Sequence, residues 1–303
     1  MEKNSKLLPR RRAYLLGTVL TAGAVALTMS GASPAGAVSS PARGLDYVAL
    51  GDSYASAPGV PTQVDAECAR SSSNYPSLVA VSRGARLTDV SCAGATTADL
   101  ATGQNGGAPQ FDALGRRTDL VTVSIGGNDV GFTTVLGTCA RLAATDPAGT
   151  PCRTHFTGGG TDELQEAVAA TGPRITQVLK EVRERAPRAK VVVVGYPSLF
   201  PDDGVGCTSP AVPFAAGDFA YLRDTTKALN TMLERRARQS GAAYADTYTP
   251  TVGHDMCAPT GERWIESLAP ETPAAPAHPN AQGEGAMAKA VQRVLAACGP
   301  TRR

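Results

Sequence analysis

Four short stretches of this 303-residue chain carry groups able to do covalent chemistry. An apolar run, Tyr47 to Leu50, ends abruptly in Gly51-Asp52-Ser53-Tyr54 and delivers a serine hydroxyl into a tight turn. Gly94 lies in a turn of small residues, Ser91 to Thr97, whose backbone amides can be approached closely. Asn128 stands in Gly126-Gly127-Asn128-Asp129, and His278 in His278-Pro279-Asn280. Acyl transfer from an ester needs a nucleophilic oxygen, a base within hydrogen-bond reach and donors aimed at the oxyanion of the tetrahedral intermediate. Ser53, His278, the N–H groups of Ser53 and Gly94, and the Asn128 side-chain amide supply one of each. Taken singly, Gly51-Asp52-Ser53 and Gly126 to Asp129 are turn formers, and a histidine before a proline can be a surface residue. It is their order along the chain that points to chemistry. Asp52 is expected to hold its turn through hydrogen bonds to backbone amides.

These groups need a sheet to position them. Asp46 to Leu50, Leu87 to Val90, Leu120 to Ile125, Lys190 to Gly195 and Ala243 to Thr247 read as short apolar strands. The four valines Val191 to Val194 suit a strand covered on both faces. Between them, Thr161 or Asp162 caps a helical pattern running to about Arg185, with Pro187 as its stop. A second pattern runs from Asp218 to Gln239, and Asn280 caps a third over Ala281 to Ala297. Alternating strands and helices imply an α/β chain, a parallel sheet with helices on both faces. Ligands of such sheets bind beyond the carboxyl ends of the strands, where Ser53, Gly94 and Asn128 fall. Val60 to Tyr75, Thr138 to Gly160, Pro197 to Ala216 and Pro250 to Pro276 read as long loops rich in Gly and Pro. No internal repeat and no second domain is apparent.

Lys3, Lys6 and Arg10 to Arg12 precede an apolar run, Ala13 to Met29, and a small-residue end, Ser33 to Ala37; residues 1–37 have the anatomy of a cleavable secretory signal. Arg11-Arg12 resembles a twin-arginine signal. A linker is expected over 38–45, the folded domain over 46–298 and a tail over 299–303. The leader holds five of the 29 Lys and Arg residues and one of the 27 Asp and Glu residues, so without it the formal charge changes from +2 to −2. No basic stripe remains for nucleic acid, and after signal removal no stable membrane insertion is expected. The chain reads as an extracellular monomer. None of the seven cysteines forms a Cys-x-x-Cys pair, which disfavours a zinc site or a redox motif; no metal and no cofactor is expected. In an exported chain they are expected in disulfides. The simplest pairing is sequential, Cys68 with Cys92, Cys139 with Cys152 and Cys207 with Cys257, leaving Cys298 unpaired.

Together, Gly51-Asp52-Ser53, Gly94, Gly126-Gly127-Asn128-Asp129 and His278 resemble the four blocks of the SGNH hydrolases, the GDSL esterases and lipases. The cover runs from Asp46 to about Cys298. The six loop cysteines, Gly253 to Cys257 and Arg263-Trp264-Ile265 resemble the secreted actinobacterial lipase and phospholipase branch. The resemblance implies a flavodoxin-like three-layer α/β/α sandwich around a five-stranded parallel sheet with disulfide-stapled loops. It implies Ser53 as nucleophile, His278 as general base and then acid, and an oxyanion hole from Ser53 N–H, Gly94 N–H and Asn128. The family usually places an Asp three residues before the His; that position is Ala275 here. The imidazole still needs its second nitrogen oriented. A backbone carbonyl within Ala275, Pro276 and Ala277 is expected to do this, with Glu271 or Asp255 as the alternative acid.

The expected activity is hydrolysis of carboxylic esters of acyl lipids, possible at a lipid interface, with Tyr54, Pro58, Val60, Pro197, Leu199 and Phe200 as candidates to line an acyl groove. Phospholipase A action, or deacetylation of carbohydrate or phenolic esters, needs the same machinery. A catalytically dead secreted binding protein is the reading from another class.

Overall fold

The computed structural model describes residues 44–297. The leader over 1–37, most of the 38–45 linker, Cys298 and the 299–303 tail lie outside the described residues.

Strand β1 (Leu45–Gly51) is buried from Tyr47 onward on both faces, which is why it reads as a continuous apolar run rather than an alternating one. It starts one residue earlier than its apolar pattern, because Leu45 is already in register with Ala85. A small antiparallel hairpin, β2 (Gln63–Asp65) with β3 (Arg70–Ser71), stands apart from the main sheet. The main sheet continues with β4 (Ala85–Asp89), β5 (Leu120–Ser124), β6 (Lys190–Val194) and β7 (Ala243–Ala245). Its order is β4-β1-β5-β6-β7, and every neighbouring pair is parallel. Counting only these five strands along the chain, this is the doubly wound order 2-1-3-4-5. The order reverses between β1 and β5, so the crevice for a ligand opens past the carboxyl ends of those two strands. Gly51 at the end of β1 is in register with Ser124 at the end of β5.

The helices are α1 (Ser53–Ser56), α2 (Tyr75–Arg83), α3 (Asp99–Thr102), α4 (Phe132–Ala143), α5 (Pro151–Thr157), α6 (Glu163–Arg185), α7 (Phe219–Gln239) and α8 (Ala281–Ala297). Pairs α2 with α8 and α6 with α7 form the outer layers of an α/β/α sandwich. Asp162 caps α6 by accepting the Leu164 and Gln165 N–H groups, both at 3.1 Å, which satisfies two orphan donors of its first turn. Asn280 does the same for α8 through the N–H groups of Gln282 and Gly283. No helix among the described residues is long and apolar enough to cross a membrane.

Two loop expectations need correcting: Val60 to Tyr75 holds the β2–β3 hairpin and the first residue of α2. The stretch Thr138 to Gly160 is not a loop throughout: it holds the end of α4 and all of α5. Pro151 opens α5, and the first-turn N–H groups of Cys152 and Arg153 are taken at 2.9 Å by the carboxylate of Asp218, more than sixty residues away. A cap supplied from that distance leaves no local pattern to read. The three disulfides are Cys68–Cys92, Cys139–Cys152 and Cys207–Cys257, the sequential pairing. The second therefore joins two helices, and the first ties the small hairpin to the turn carrying Gly94.

Where β1 ends, the chain passes so close to β5 that only glycine fits. A Cβ on Gly51 would lie 2.5 Å from the Ser124 carbonyl oxygen and 2.8 Å from the Ala55 Cβ. Gly51→Ala is therefore expected to destabilise by about 1–3 kcal/mol, the usual cost of overpacking, and to lower Tm by several degrees in a thermal melt. An unchanged melt would mean that the strand end can shift freely.

Candidate active site

Asp52 ends β1 by donating its N–H to the Ser124 carbonyl at 2.9 Å, then caps α1 by accepting the Tyr54 N–H at 2.9 Å. Ser53 is thus the first residue of a short helix that begins at the sheet's switch point. Among the described residues neither its N–H nor its hydroxyl has a hydrogen-bond partner. Behind it the buried Gln110 grips Gly51 twice, accepting its N–H at 2.8 Å and donating to its carbonyl at 3.0 Å.

The loop after β5 carries Asn128. Gly127 packs against Tyr196 so tightly that a Cβ would lie 3.1 Å from the ring, and its N–H donates to the Tyr196 phenol oxygen at 2.8 Å. The Asn128 amide donates one hydrogen to the Ala95 carbonyl at 2.9 Å, which leaves its second hydrogen for a ligand. Asp129 accepts the Thr97 N–H at 2.9 Å and hydroxyl at 2.5 Å, and pairs with Arg174 at 3.3 Å. The turn after β4 and the loop after β5 are therefore latched together through Asn128 and its neighbour Asp129. Gly94, at φ +81°, is exposed one residue before the carbonyl that holds Asn128, and its N–H has no partner among the described residues.

His278 enters from the segment before α8. Its Nδ1 lies 2.7 Å from the Pro276 carbonyl oxygen. A carbonyl only accepts, so Nδ1 bears the proton and the neutral ring presents the Nε2 lone pair. Nε2 has no partner among the described residues. The return of the carbonyl toward the ring needs Ala277 at φ +59°, a left-handed conformation costly for a residue with a Cβ. That conformation is held from outside. The Tyr54 phenol donates to the Ala277 carbonyl at 2.7 Å, and its ring lies 4.9 Å from the imidazole, tilted by 30°. Glu266 adds N–H donation to the His278 carbonyl at 2.9 Å. Neither alternative acid reaches the histidine: Glu271 accepts from Thr260 and pairs with Arg263, while Asp255 accepts the Cys257 N–H at 2.9 Å.

Ser53, Asn128 and His278 line one cavity of about 240 Å³, whose remaining wall is chiefly apolar: Phe132 and Leu136 of α4, Leu229 of α7, Leu199 and Leu268. Gly94 is not among its lining residues. Of the residues expected along an acyl groove, Tyr54 and Leu199 line this cavity. Pro58, Val60, Pro197 and Phe200 do not. Phe200 is buried edge-on against Phe214 and Phe219, and Val60 packs with Ala57 and Ala274, so hydrophobic packing claimed both. The α4 residues were missed because that segment shows no signal beyond apolar spacing. Among the described residues no group of three or more His, Cys, Asp and Glu side chains is placed to hold a metal ion. His254 bonds the Glu262 carbonyl and stacks on Trp264, and His155 lies against Phe156.

Burial sets the protonation of the site. Desolvation pulls His278 below the ordinary 6.5, against a smaller upward effect of the Pro276 carbonyl. Asp52 is raised to about 7 by desolvation, with hydrogen bonds from the Tyr196 phenol and the Tyr54 N–H opposing the rise and the Asp129 charge adding to it.

A profile of the GDSL-like lipase/acylhydrolase family matches residues 49–286. The chain is 41% identical over 294 residues to Lipase 2 of Streptomyces coelicolor, covering 95% of this chain and 98% of that one. It is 34% identical over 274 residues to a lipase of Streptomyces rimosus, covering 86% and 89%. Its fold matches the crystal structure of phospholipase A1 from Streptomyces albidoflavus NA297 with TM-score 0.69 and 29% identity, covering 83% of this chain and all of that one. An extracellular lipase structure from S. rimosus gives TM-score 0.69 and 30% identity, covering 82% and 99%.

The histidine geometry has a direct spectroscopic consequence. In ¹⁵N-resolved NMR the His278 ring is expected as the Nδ1–H tautomer, with a titration midpoint below 6.5. Because the folded value is lowered, the histidine's contribution to stability is full above about pH 6.5 and is lost as the pH falls through the folded midpoint. An Nε2–H tautomer, or a midpoint above 6.5, would contradict the geometry.

Proposed function

The chain belongs to the GDSL-like lipase/acylhydrolase family and is a carboxylic ester hydrolase, and we propose that it is a secreted enzyme that cleaves esters of acyl lipids through an acyl-enzyme on Ser53. The observation that carries the substrate class is the apolar cavity bounded by Ser53, Asn128 and His278. A cavity walled by Phe132, Leu136, Leu199, Leu229 and Leu268 suits a hydrocarbon chain and offers a polar acyl group little to bond.

In this reading the Ser53 oxygen attacks the ester carbonyl while His278 Nε2 takes its proton, the Pro276 carbonyl having fixed the tautomer that makes this possible. The oxyanion accepts from the free N–H groups of Ser53 and Gly94 and from the second amide hydrogen of Asn128. His278 then returns the proton to the leaving alcohol, and water attacks the acyl-serine by the same route in reverse. Pro276 offers a neutral carbonyl where a carboxylate is usual, so the imidazolium gains less stabilisation and the oxyanion donors carry more of the rate. Secretion is supported by the leader anatomy of residues 1–37 and by the similarity to an extracellular lipase. The match to a phospholipase A1, equal in TM-score to the match with that lipase, supports a second reading in which the scissile ester belongs to a phospholipid.

Turnover of p-nitrophenyl esters of increasing chain length, with a triglyceride and a phospholipid alongside, tests the proposal. Preference for medium or long chains and cleavage of triglyceride are expected. A sharp preference for acetate would overturn the lipid reading, and phospholipid cleavage without triglyceride cleavage would establish the second one.

A further inference from the structure

Tyr196 is not one of the groups expected to do chemistry, yet among the described residues it is the one side chain bonded to both the Ser53 turn and the Asn128 loop. Its hydroxyl accepts the Gly127 N–H at 2.8 Å and lies 2.5 Å from Asp52 Oδ2. The proton assignment follows from valence. The Gly127 N–H can only donate, so the phenol oxygen accepts there and directs its own hydrogen to the carboxylate. Tyr196 is buried and in turn anchored: its N–H donates to Asn230 Oδ1 at 2.8 Å, and the Asn230 amide donates to its carbonyl at 2.8 Å. Two backbone bonds from α7 thus fix the start of a side chain whose far end bridges two segments. The ring also meets Tyr54 edge-on at 5.0 Å, and Tyr54 holds the Ala277 carbonyl beside His278.

We propose that Tyr196 is a positioning residue for the hydrolysis, setting the distance between Ser53 and Asn128 by bridging Asp52 and Gly127. This rests on the reading of Ser53 as nucleophile and Asn128 as oxyanion donor. Both residues bonded by the phenol are the immediate predecessors of those two, so a shift of the phenol moves Ser53 and Asn128 relative to each other. Oxyanion stabilisation depends on donors lying about 2.7–3.1 Å from the position the oxyanion will occupy, and a misplacement of about 1 Å can cost on the order of 10²-fold in rate. The bridge also explains Gly127. A Cβ there would lie 3.1 Å from the phenol ring, so a side chain at this position would have to push aside the ring that makes the bridge. Among the described residues the carboxyl that receives the phenol hydrogen has no ion-pair partner: it accepts from the Tyr196 hydroxyl and the Tyr54 N–H, and the charge that acts on it is that of Asp129. Asp52 is therefore built to receive these donors.

The test is a double-mutant cycle with steady-state kinetics, each variant assayed well below its own measured Tm. Asn128→Ala alone is expected to lose roughly 10²-fold or more in kcat, the effect of one oxyanion donor. Tyr196→Phe is expected to lower kcat by roughly 10-fold or more with KM nearly unchanged, and by less than about 3-fold when Asn128 is already alanine, because the displaced donor is then absent. An equal loss in both backgrounds, or a rise in KM at constant kcat, would overturn the positioning role. If Asn128→Ala itself leaves kcat unchanged, the reading of the oxyanion hole fails instead, so the two failures are distinguishable. Should Tyr196→Phe not fold, Asp52→Asn keeps a similar shape and replaces the carboxyl that receives the phenol hydrogen. It is expected to show the same reduced effect in the Asn128→Ala background, and an undiminished effect there would equally contradict the bridge.

Discussion

A carboxyl group buried where the Ser53 turn begins is the constraint around which the rest of the site is arranged. Asp52 is almost fully removed from water, and desolvation raises it to about 7. Such a group is tolerated inside a protein only when donors satisfy it. Two do so here: the Tyr54 N–H fixes the start of α1 and so the direction of Ser53, and the Tyr196 hydroxyl brings in the end of β6. Tyr196 then claims the Gly127 N–H, which places the loop carrying Asn128. Three strand ends are joined through one carboxylate, at the point where the strand order of the sheet reverses and a crevice must open.

The histidine follows a different logic. With Ala275 in place of an acid, the ring is oriented by the Pro276 carbonyl, and this carbonyl turns toward Nδ1 because Ala277 adopts a left-handed conformation. An alanine does not hold such a conformation unaided. Pro276 restricts the chain before it, Tyr54 bonds its carbonyl, and the backbone of Glu266 brackets it on the other side by accepting the Ala277 N–H at 3.2 Å. Glu266 is itself buried and receives hydrogen bonds from Asn280, Thr272 and the Glu271 N–H. The same asparagine caps α8, so the helix start, the carboxylate beneath the loop and the imidazole form one connected unit.

Much of this was legible in the residues alone, for physical reasons that differ by feature. The parallel sheet was readable because β1, β5 and β6 are covered on both faces and are therefore spelled mostly in apolar residues without strict alternation. Ser53 and Asn128 past strand ends and His278 before the last helix stood out through their order along the chain, since each taken singly is an ordinary turn or surface residue. Helix α5 was not legible, since its first turn is capped by Asp218 from another part of the chain. Tyr196 was overlooked although it directly follows Gly195 at the carboxyl end of a strand, the very position that singled out the other groups. A tyrosine there reads as packing until its hydroxyl is seen between an amide and a carboxylate. The apolar cavity was only partly anticipated, because residues of one stretch diverged. Leu199 faces the cavity, while Phe200 beside it turns into the core.

The proposed mechanism requires Ser53, Gly94, Asn128 and His278 to converge on a single acyl group whose chain occupies the apolar cavity. A crystal structure of the enzyme inactivated by a long-chain alkyl phosphonate tests it most directly. The account predicts a covalent bond to the Ser53 oxygen and a phosphoryl oxygen within hydrogen-bond distance of the Ser53 and Gly94 N–H groups and the Asn128 amide. It further predicts the alkyl chain between Phe132, Leu136 and Leu229. Attachment at another residue, or a Ser53 adduct whose phosphoryl oxygen faces away from Asn128 with its chain outside the cavity, would contradict it.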